Sequence, residues 1–566
     1  MDFDDVLPYI GSYGKYQIIL LSLMAIISNV PCCFMYVSVE FVSGTPDHWC
    51  RIPELEDRLS MDVIKNISIP LEMRDGVEVY SQCKMYDYNY TRILLDGVPD
   101  NASVAQVPCK NGWNYDKSIY DSTLVTEMDV VCDDRWLQAI AKSSFFFGTI
   151  IGSIVFGNLA NVYGRKPTFY VLLSVYIVIG ILSCFPPNYI AFIVYRTIIG
   201  TTSIVIFQIP FVLAMELVKP QKRSTSGMCI CSTFPFVIAL MCLLAYLSRN
   251  WFILSLITSV PLVIFLGIWY FVPESPRWLV AQNRIDEAEV IVQKIAKVNK
   301  KKIPPNFLKT FMESKGISNQ ENKKDIKFTF VHIIMYPNIR KNFLLVTFGW
   351  LVNATVYVGL LFGSTLFNIN DYLALTISGL VELPGDLAAW WGMEKYGRRF
   401  IMLVSMILAG IACICAGIVP GSYTWTIVIL ANIGKFAIAG SYSAIYVFGS
   451  ELIPTVLRTS ALATATLIGS VGSMIAPHIL YLGTLYGRAL PLIILGILSI
   501  FGGMCNLFLP ETMNENLPET IEEGEAFGKD TKFCQFPFTT PKKEVKISRI
   551  ADHRDSKTVS VDNYEL

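Results

Sequence analysis

The chain alternates between long apolar stretches and short polar segments, and this alternation constrains its fold more than any other feature. A helix needs about 20 apolar residues to cross the hydrocarbon core of a bilayer, which is about 30 Å thick. Twelve such stretches occur, with approximate limits 17–40, 136–160, 167–186, 188–216, 224–247, 251–272, 342–366, 371–393, 400–420, 425–450, 460–485 and 489–510. We therefore predict an all-α membrane protein with twelve transmembrane helices, numbered helix 1 to helix 12 in chain order.

Composition agrees with a membrane protein and excludes several other classes. The chain is 53% hydrophobic and 16% charged, whereas soluble proteins carry roughly 25% charged residues. Lys and Arg number 46 and are balanced by 46 Asp and Glu, so no net charge favours nucleic acid as a partner. Four scattered histidines and the lack of a Cys-x-x-Cys or His-Glu-x-x-His motif predict no metal site. No phosphate-binding glycine loop or catalytic constellation occurs, so neither a cofactor nor enzymatic activity is expected.

Basic residues predict the orientation of the helices. They follow helices 2, 4, 8 and 10 and fill the segment 273–341, and all of these positions fall on one side of the predicted bilayer. Cytosolic loops carry an excess of Lys and Arg, so this side is predicted to be cytosolic. Both termini, residues 1–16 and 511–566, then lie in the cytosol, and we expect a multi-pass protein of the plasma membrane.

The opposite side carries one long insert, residues 41–135. It contains three glycosylation sequons, at Asn66, Asn89 and Asn101. It also contains four cysteines, which allow three disulfide pairings: Cys50, Cys83, Cys109 and Cys132. Sugars and disulfides are both typical of an extracellular loop, which supports the predicted orientation.

The polar segments repeat between the two halves of the chain. Gly164-Arg165-Lys166 is matched by Gly397-Arg398-Arg399, and Pro273-Glu274-Ser275 by Pro510-Glu511-Thr512. Between these motifs, Glu216 and Arg223 are matched by Glu451 and Arg458. The repeat predicts two six-helix halves in the same orientation (136–272 with helix 1, and 342–510), which rock about a site near the bilayer midplane. We expect the charged residues of these motifs to act as gates: Arg165, Arg398, Glu216, Arg223, Glu451 and Arg458.

Several of these motifs resemble those of a known family. Residues 157–166, GNLANVYGRK, resemble the loop after helix 2 in the major facilitator superfamily. More specific motifs are TPDHWC at 45–50, PESPRWL at 273–279, GKF at 434–436 and LPETIE at 517–522. Together they resemble the organic cation, carnitine and organic anion transporter family, over most of the chain. The resemblance implies the major facilitator fold, a glycosylated loop after helix 1 and alternating-access transport of small charged organic molecules.

Ionisable residues inside the helices are candidates for recognising the substrate, because each is costly unless it pairs or lines a cavity. Glu382 and Asp386 are four residues apart in helix 8, share one face and favour a cation. In the resembling cation transporters an acid occupies the position of Glu382, and in the anion transporters a lysine occupies that of Asp386. Ser470 in helix 11 lacks the charge that the family usually has there. An alternative is that the two acids form an internal salt bridge with Lys435 or Arg196.

A basic residue and several aromatic residues complete the predicted site. Lys142 in helix 2 is expected to extend towards the membrane surface; if it faces the interior instead, the site suits a zwitterion. Aromatic rings attract a desolvated ammonium by about 0.5–2 kcal/mol. Four such rings lie in helices 7 and 10, although each also suits a packing role: Trp350, Tyr357, Tyr442 and Tyr446.

The sequence thus favours a secondary transporter of organic cations, with zwitterions or organic anions as alternative substrates. A non-transporting membrane receptor is the alternative from another class, although it would not need two matching sets of gates. The expected partners are the substrate and the lipid bilayer. In addition, the ending Tyr564-Glu565-Leu566 weakly resembles a ligand of peptide-end-binding scaffold domains.

Overall fold

The computed structural model describes most of the chain. The described residues are 5–11, 13–56, 58–74, 77–91, 105–268, 271–314, 330–367, 369–513, 515, 518 and 520–529. Asn101 and the C-terminal Tyr564-Glu565-Leu566 lie outside them. The side chain of Asn161, in the loop motif after helix 2, is also outside the description.

The first half of the molecule contains the first six predicted helices. Their bounds are Lys15–Val42 (helix 1), Trp136–Tyr163 (helix 2), Arg165–Leu182 (helix 3), Tyr189–Glu216 (helix 4), Pro220–Cys231 with Phe234–Ser248 (helix 5), and Trp251–Ser259, Val260–Leu262 and Val263–Gly267 (helix 6). The described part of helix 6 lies within its predicted limits, 251–272, and residues 269 and 270 fall outside the description.

The second half contains the other six. Their bounds are Pro337–Gly363 (helix 7), Asp371–Leu380 with Glu382–Tyr396 (helix 8), Arg398–Ile418 (helix 9), Thr424–Leu452 (helix 10), Thr455–Tyr486 (helix 11) and Ala489–Cys505 (helix 12). Across the described residues, ten helices are long and apolar enough to cross a membrane, and Trp251–Gly267 is a shorter apolar one. Helix 8, which is interrupted at Val381, is the remaining one of the twelve predicted helices.

Helices 5 and 8 are each broken near the middle, and proline explains both breaks. Pro235 and Pro384 lie in the first turn of the second segment of each helix. Proline has no N–H, so the carbonyl four residues before it lacks its usual helical partner. At the break in helix 5, Asn29 of helix 1 donates its Nδ2 to the carbonyl of Ile230 (2.9 Å) and to Thr233 Oγ1 (2.7 Å). A buried amide thus satisfies polar groups that the break releases.

Glycine permits two very short connections at equivalent places. Helices 2 and 3 are joined by Gly164 alone, and helices 8 and 9 by Gly397 alone. Their φ angles are 101° and 95°, in a region that L side chains rarely adopt. Each pair of helices therefore reverses direction at one residue, which explains why both repeats of the loop motif contain glycine.

The insert after helix 1 forms a small disulfide-linked domain, which we call the loop domain (residues 43–135). Its described residues form three two-stranded antiparallel sheets: His48–Cys50 (β1) with Trp113–Tyr115 (β6), Leu71–Arg74 (β2) with Val77–Tyr80 (β3), and Lys84–Tyr86 (β4) with Gln106–Pro108 (β5). Its disulfides join Cys50 to Cys109 and Cys83 to Cys132, one of the three arrangements that the sequence left open. We call the side of the molecule that carries it the loop side.

The other side carries the first and last described segments of the chain, residues 5–11 and 520–529, and we call it the terminal side. The N-terminal helix Leu7–Ile10 packs against the helix Ile285–Val298. Asn299, just after that helix, accepts a hydrogen bond from the backbone N–H of Tyr16 (3.0 Å) and donates to the carbonyl of Ile10 (2.9 Å). At helix 7, Glu525 similarly accepts from the backbone N–H of Asn338 (2.9 Å). Polar side chains thus hold the first helix of each half at its N-terminus.

Candidate substrate-binding site

A buried ion pair lies in the middle of the second half. Glu382 begins the second segment of helix 8, and Lys435 lies near the middle of helix 10. Lys435 Nζ is 2.8 Å from Glu382 Oε1, and the two residues are only 1% and 4% exposed. This is one of the alternatives that the sequence left open for Glu382. A charge buried this deeply in a membrane protein requires such a partner.

Tyr357 of helix 7 contacts both members of this pair. Its hydroxyl donates to Glu382 Oε1 (2.7 Å), and Lys435 Nζ lies 3.2 Å from the centre of its ring. The lysine ammonium therefore has both a carboxylate and an aromatic face as neighbours. These are the two groups with which proteins bind organic ammonium ions. The pair thus shows that this place in the fold stabilises a desolvated ammonium.

The four predicted aromatic residues form one connected cluster. Tyr442 lies 5.1 Å from Tyr357, 5.8 Å from Trp350 and 5.8 Å from Tyr446, measured between ring centres. Trp350 and Tyr446 meet edge to face at 4.3 Å. Trp350 is 1% exposed, whereas Tyr446 is 48% exposed. The cluster therefore extends from a closed interior, beside the ion pair, to an accessible surface towards the terminal side.

Asp386 and Ser470 lie in less enclosed positions. Asp386 accepts a hydrogen bond from the hydroxyl of Ser443 in helix 10 (2.6 Å) and is half-buried. Ser470 is half-buried and donates to the carbonyl of Thr466 (3.1 Å) in its own helix. Its neighbour Gly469 faces the indole of Trp350. The structure thus places Asp386 next to the candidate site and packs helix 11 against Trp350 of that site.

The expectation that Lys142 extends towards the membrane surface is wrong. Lys142 Nζ forms an ion pair with Glu40 of helix 1 at 2.8 Å, and its side chain is 19% exposed. It also lies 5.7 Å from the ring of Phe362 in helix 7. A carboxylate inside the protein binds this ammonium, so it has no need to reach the aqueous boundary. Sequence reasoning missed Glu40, because it lies at the predicted end of helix 1, where an acid also suits a loop.

Arg196 of helix 4 is a buried cation of the first half. It is 3% exposed, its guanidinium lies 4.9 Å from the ring of Phe145, and it donates to the carbonyl of Met35. Arg196 thus contacts a ring and a carbonyl, whereas Glu382 pairs with Lys435, the other partner that the sequence offered.

The gate residues pair across the repeated motifs in the same way in both halves. Glu216 contacts Arg165 at 3.4 Å, and Glu451 contacts Arg398 at 3.2 Å. Arg223 donates its Nε to the carbonyls of Met215 and Val218, both at 3.1 Å, so it lies beside the end of helix 4 that carries Glu216.

Sequence reasoning noted the Pro-Glu motifs but did not give their acids a role. Glu274 accepts hydrogen bonds from the backbone N–H groups of Arg165 and Lys166, both at 3.1 Å. Glu511 does the same for Arg398 (2.9 Å) and Arg399 (3.1 Å). The two carboxylates therefore cap the N-termini of helices 3 and 9, where a negative charge is stabilised. The repeat of these motifs was the signal that could have found them.

The two halves meet on the loop side. Helix 2 packs along helix 11, where Ser143 Oγ contacts His478 Nε2 and donates to the carbonyl of Met474, both at 3.0 Å. The second segment of helix 5 packs on the first segment of helix 8. Tyr36 of helix 1 lies 5.3 Å from Phe362 of helix 7. These contacts close the molecule on the loop side.

Two repeated six-helix halves around a buried, charged aromatic site define a membrane transporter of the major facilitator type. The family model described as "Sugar (and other) transporter" matches residues 101–523. Within this superfamily, the chain belongs to the organic cation and carnitine transporter family, as its relatives show. It is a secondary transporter and not an enzyme.

Relatives from three animals are similar over nearly the whole chain. The "Beta-alanine transporter" of Drosophila melanogaster is 36% identical, covering 94% of this chain and 91% of that protein. "Organic cation transporter 1" of Caenorhabditis elegans is 34% identical (93% and 89%). "Organic cation/carnitine transporter 2" of Homo sapiens is 31% identical (92% and 94%).

Solved structures support the fold. The partially occluded inward-open conformation of the xylose transporter XylE from E. coli has a TM-score of 0.57. It is 15% identical and covers 90% of this chain and 100% of that one. This confirms the predicted major facilitator fold.

Proposed function

We propose that this chain transports small organic amines, either cationic or zwitterionic, across the plasma membrane by alternating access. The relatives named as transporters of β-alanine, carcinine, organic cations and carnitine support this class of substrate. Their substrates share an amine or ammonium group, which is the group that the candidate site is built to hold.

One observation carries the proposal: the ammonium of Lys435 lies against both the carboxylate of Glu382 and the ring of Tyr357. A substrate ammonium has the same chemistry as that of Lys435. It can therefore exchange with Lys435 at Glu382, while the rings of Trp350 and Tyr442 enclose its apolar part. Asp386, one turn further along helix 8, attracts the substrate from the accessible side.

The released Lys435 gives the site a way to bind a zwitterion. Once its ammonium leaves Glu382, it can pair with the carboxylate of an amino-acid-like substrate. This favours zwitterions as substrates beside simple cations. Transport of organic anions alone has less support, because Glu382 and Asp386 would repel them. Replacing Asp386 by lysine should shift the preference towards anions.

The paired charges on the terminal side support alternating access. We propose that the Arg165–Glu216 and Arg398–Glu451 pairs hold the gates of the two halves, and that Arg223 and Arg458 support them. The loop side is proposed to be extracellular, since it carries the disulfides and the exposed sequon residues Asn66 and Asn89. Both termini then lie in the cytosol, and Asn66, Asn89 and Asn101 are proposed as glycosylation sites.

The test is uptake by cells that express the protein. A panel of radiolabelled tetraethylammonium, carnitine, β-alanine and p-aminohippurate compares a cation, two zwitterions and an anion. We expect uptake of the cation or the zwitterions, loss of this uptake in Glu382→Gln, and surface abundance equal to wild type. A protein that takes up only the anion, or whose uptake is unaffected by Glu382→Gln, contradicts the proposal. Uptake of none of the four, with normal surface abundance, favours the receptor alternative.

The C-terminal sequence supports a separate, weaker proposal of a cytosolic partner. We propose that Tyr564-Glu565-Leu566 binds a peptide-end-binding scaffold domain. Removal of these three residues should reduce retention at the cell surface while leaving the KM of transport unchanged; an unchanged surface lifetime would contradict it.

A further inference from the structure

A cavity lies between the two halves on the loop side, away from the pair of Glu382 and Lys435. Its volume is about 150 Å³, well above the about 10–15 Å³ that a single water molecule requires. Helices 1, 2, 7, 8 and 11 and the residues just before helix 2 all contribute to its wall. The cavity thus has room for a small amino acid, and both halves of the transporter line it.

An aromatic layer separates this cavity from the candidate substrate site. Tyr36, Phe146 and Phe362 contact one another, with ring centres 5.3 to 6.4 Å apart. Phe362 lies in the wall of the cavity, and it follows Tyr357, which contacts Glu382, by five residues in helix 7. The cavity is therefore a separate compartment on the loop-side end of the route between the halves.

The wall of the cavity carries equal numbers of opposite charges. Glu40 and Asp371 supply two carboxylates, and Lys142 and Arg135 supply two cations. Glu40 is 3% exposed and is paired with Lys142 at 2.8 Å. Asp371 accepts a hydrogen bond from the hydroxyl of Tyr120 at 2.6 Å. A simple cation or a simple anion would meet one favourable and one unfavourable pair of charges, whereas a molecule with both charges matches both pairs.

We propose that this cavity is an entry subsite for a small zwitterion, distinct from the site at Glu382. The ammonium of the zwitterion lies between Glu40 and Asp371, and its carboxylate faces Lys142 and Arg135. The carboxylates come from different halves, Glu40 from helix 1 and Asp371 from helix 8. Separation of the halves on the loop side therefore opens the subsite to solvent. The choice of a zwitterion rests on the proposed function, but the location of the subsite does not.

The test measures whether a ligand protects a cysteine placed in the wall. Thr484 lines the cavity on helix 11, and Thr484→Cys offers a thiol to the impermeant reagent methanethiosulfonate ethyltrimethylammonium, added outside intact cells. At a β-alanine concentration of about twice its Kd, labelling should slow about threefold, because unoccupied subsites fall by 1 + [L]/Kd. Lys117→Cys, on the exposed surface of the loop domain, should be labelled at the same rate with or without β-alanine.

Two backgrounds distinguish the subsite from the site at Glu382. Protection should persist with Glu382→Gln, which disables the proposed transport, and should disappear with Glu40→Gln/Lys142→Gln, which removes one pair of charges together. Asp371→Asn is a second variant, which leaves the pair of Glu40 and Lys142 intact. It should also weaken protection. Asp121→Asn, the same change at an exposed position outside the wall, should not weaken it.

Three results would overturn the proposal. Loss of protection with Glu382→Gln would show that it reflects transport alone. Protection by tetraethylammonium but not by β-alanine would exclude a zwitterion subsite. A lack of protection in the wild-type background, despite normal labelling of Thr484→Cys, would exclude an occupied cavity. Failure of the proposed function would instead appear as unchanged uptake in Glu382→Gln.

Discussion

The two halves of the molecule agree at their terminal-side ends and differ inside the membrane. Arg165 with Glu216 and Arg398 with Glu451 form equivalent contacts. In the interior, the first half pairs Glu40 with Lys142 near the loop side, whereas the second half pairs Glu382 with Lys435 beside the aromatic cluster. The repeat thus gives both halves the same charged contacts on the terminal side, while their interiors contain different ion pairs.

This difference indicates which half selects the substrate. The aromatic cluster of Trp350, Tyr357, Tyr442 and Tyr446 belongs entirely to helices 7 and 10. We therefore expect the second half to bind the ammonium of the substrate, and the first half to contribute chiefly to entry.

The largest expected effect tests this asymmetry between the two ion pairs. Neutralising the second-half pair with Glu382→Gln/Lys435→Gln should reduce amine uptake at least about tenfold, because losing a charge-assisted contact costs about 1.5–3 kcal/mol. Glu40→Gln/Lys142→Gln should reduce uptake less, through KM. Uptake kinetics normalised to surface abundance measure both. Equal loss of uptake in the two double variants would refute the assignment of the substrate ammonium to the second half.

The gates should respond alike, because their contacts are alike. Arg165→Ala and Arg398→Ala should each slow turnover by about threefold to tenfold, since each removes a partly buried charged contact worth about 1 kcal/mol. Arg223→Ala and Arg458→Ala should have smaller effects. Exchange and net uptake at saturating substrate report the turnover, and binding is measured by competition. A change in affinity without a change in turnover argues against gating.

The aromatic cluster should show smaller effects that separate the ring from its hydroxyl. Tyr357→Phe keeps the ring next to Lys435 but removes the hydrogen bond to Glu382, which should weaken affinity about fivefold for a bond of about 1 kcal/mol. Tyr357→Ala should weaken it more. At Trp350, Phe should be tolerated better than Leu, because a ring retains the cation contact. Full affinity in Trp350→Leu, at normal surface abundance, would leave Trp350 only a packing role.

The smallest effect is expected at the accessible edge of the site. Asp386→Asn should weaken amine affinity about twofold to threefold, since half-exposed charges contribute about 0.2–1 kcal/mol. Ser443→Ala is the matched control, because it removes the hydrogen-bond donor to Asp386 but leaves the carboxylate of Asp386 intact. An effect of Asp386→Asn as large as that of Glu382→Gln would move the centre of the site towards Asp386.

Much of the fold was predictable, because apolar length and repeated motifs depend on local sequence. The apolar stretches gave the helices, and the repeat gave the two halves. The breaks at Ser232–Thr233 and Val381 were not predicted, although Pro235 and Pro384 marked them.

The site was harder to predict, because its contacts join distant segments. Glu382 and the four aromatic residues were selected by type and spacing, but the choice between a free carboxylate and a pair with Lys435 depends on how helices 8 and 10 pack. Lys142 was misjudged for the same reason, since its partner Glu40 lies about 100 residues away. The pairing of the four loop cysteines likewise depends on the folded loop domain.

The hydrogen bond between Tyr120 and Asp371 has a consequence outside the membrane. The loop domain is covalently part of the first half, yet Tyr120 and the carbonyl of Ile119 hold Asp371 and Tyr372 of the second half. In the proposed alternating-access cycle, separation of the halves on the loop side releases these bonds each time. An antibody fragment that clamps residues 119–120 onto the start of helix 8 would therefore arrest the proposed transport from the loop side, without entering the substrate pathway.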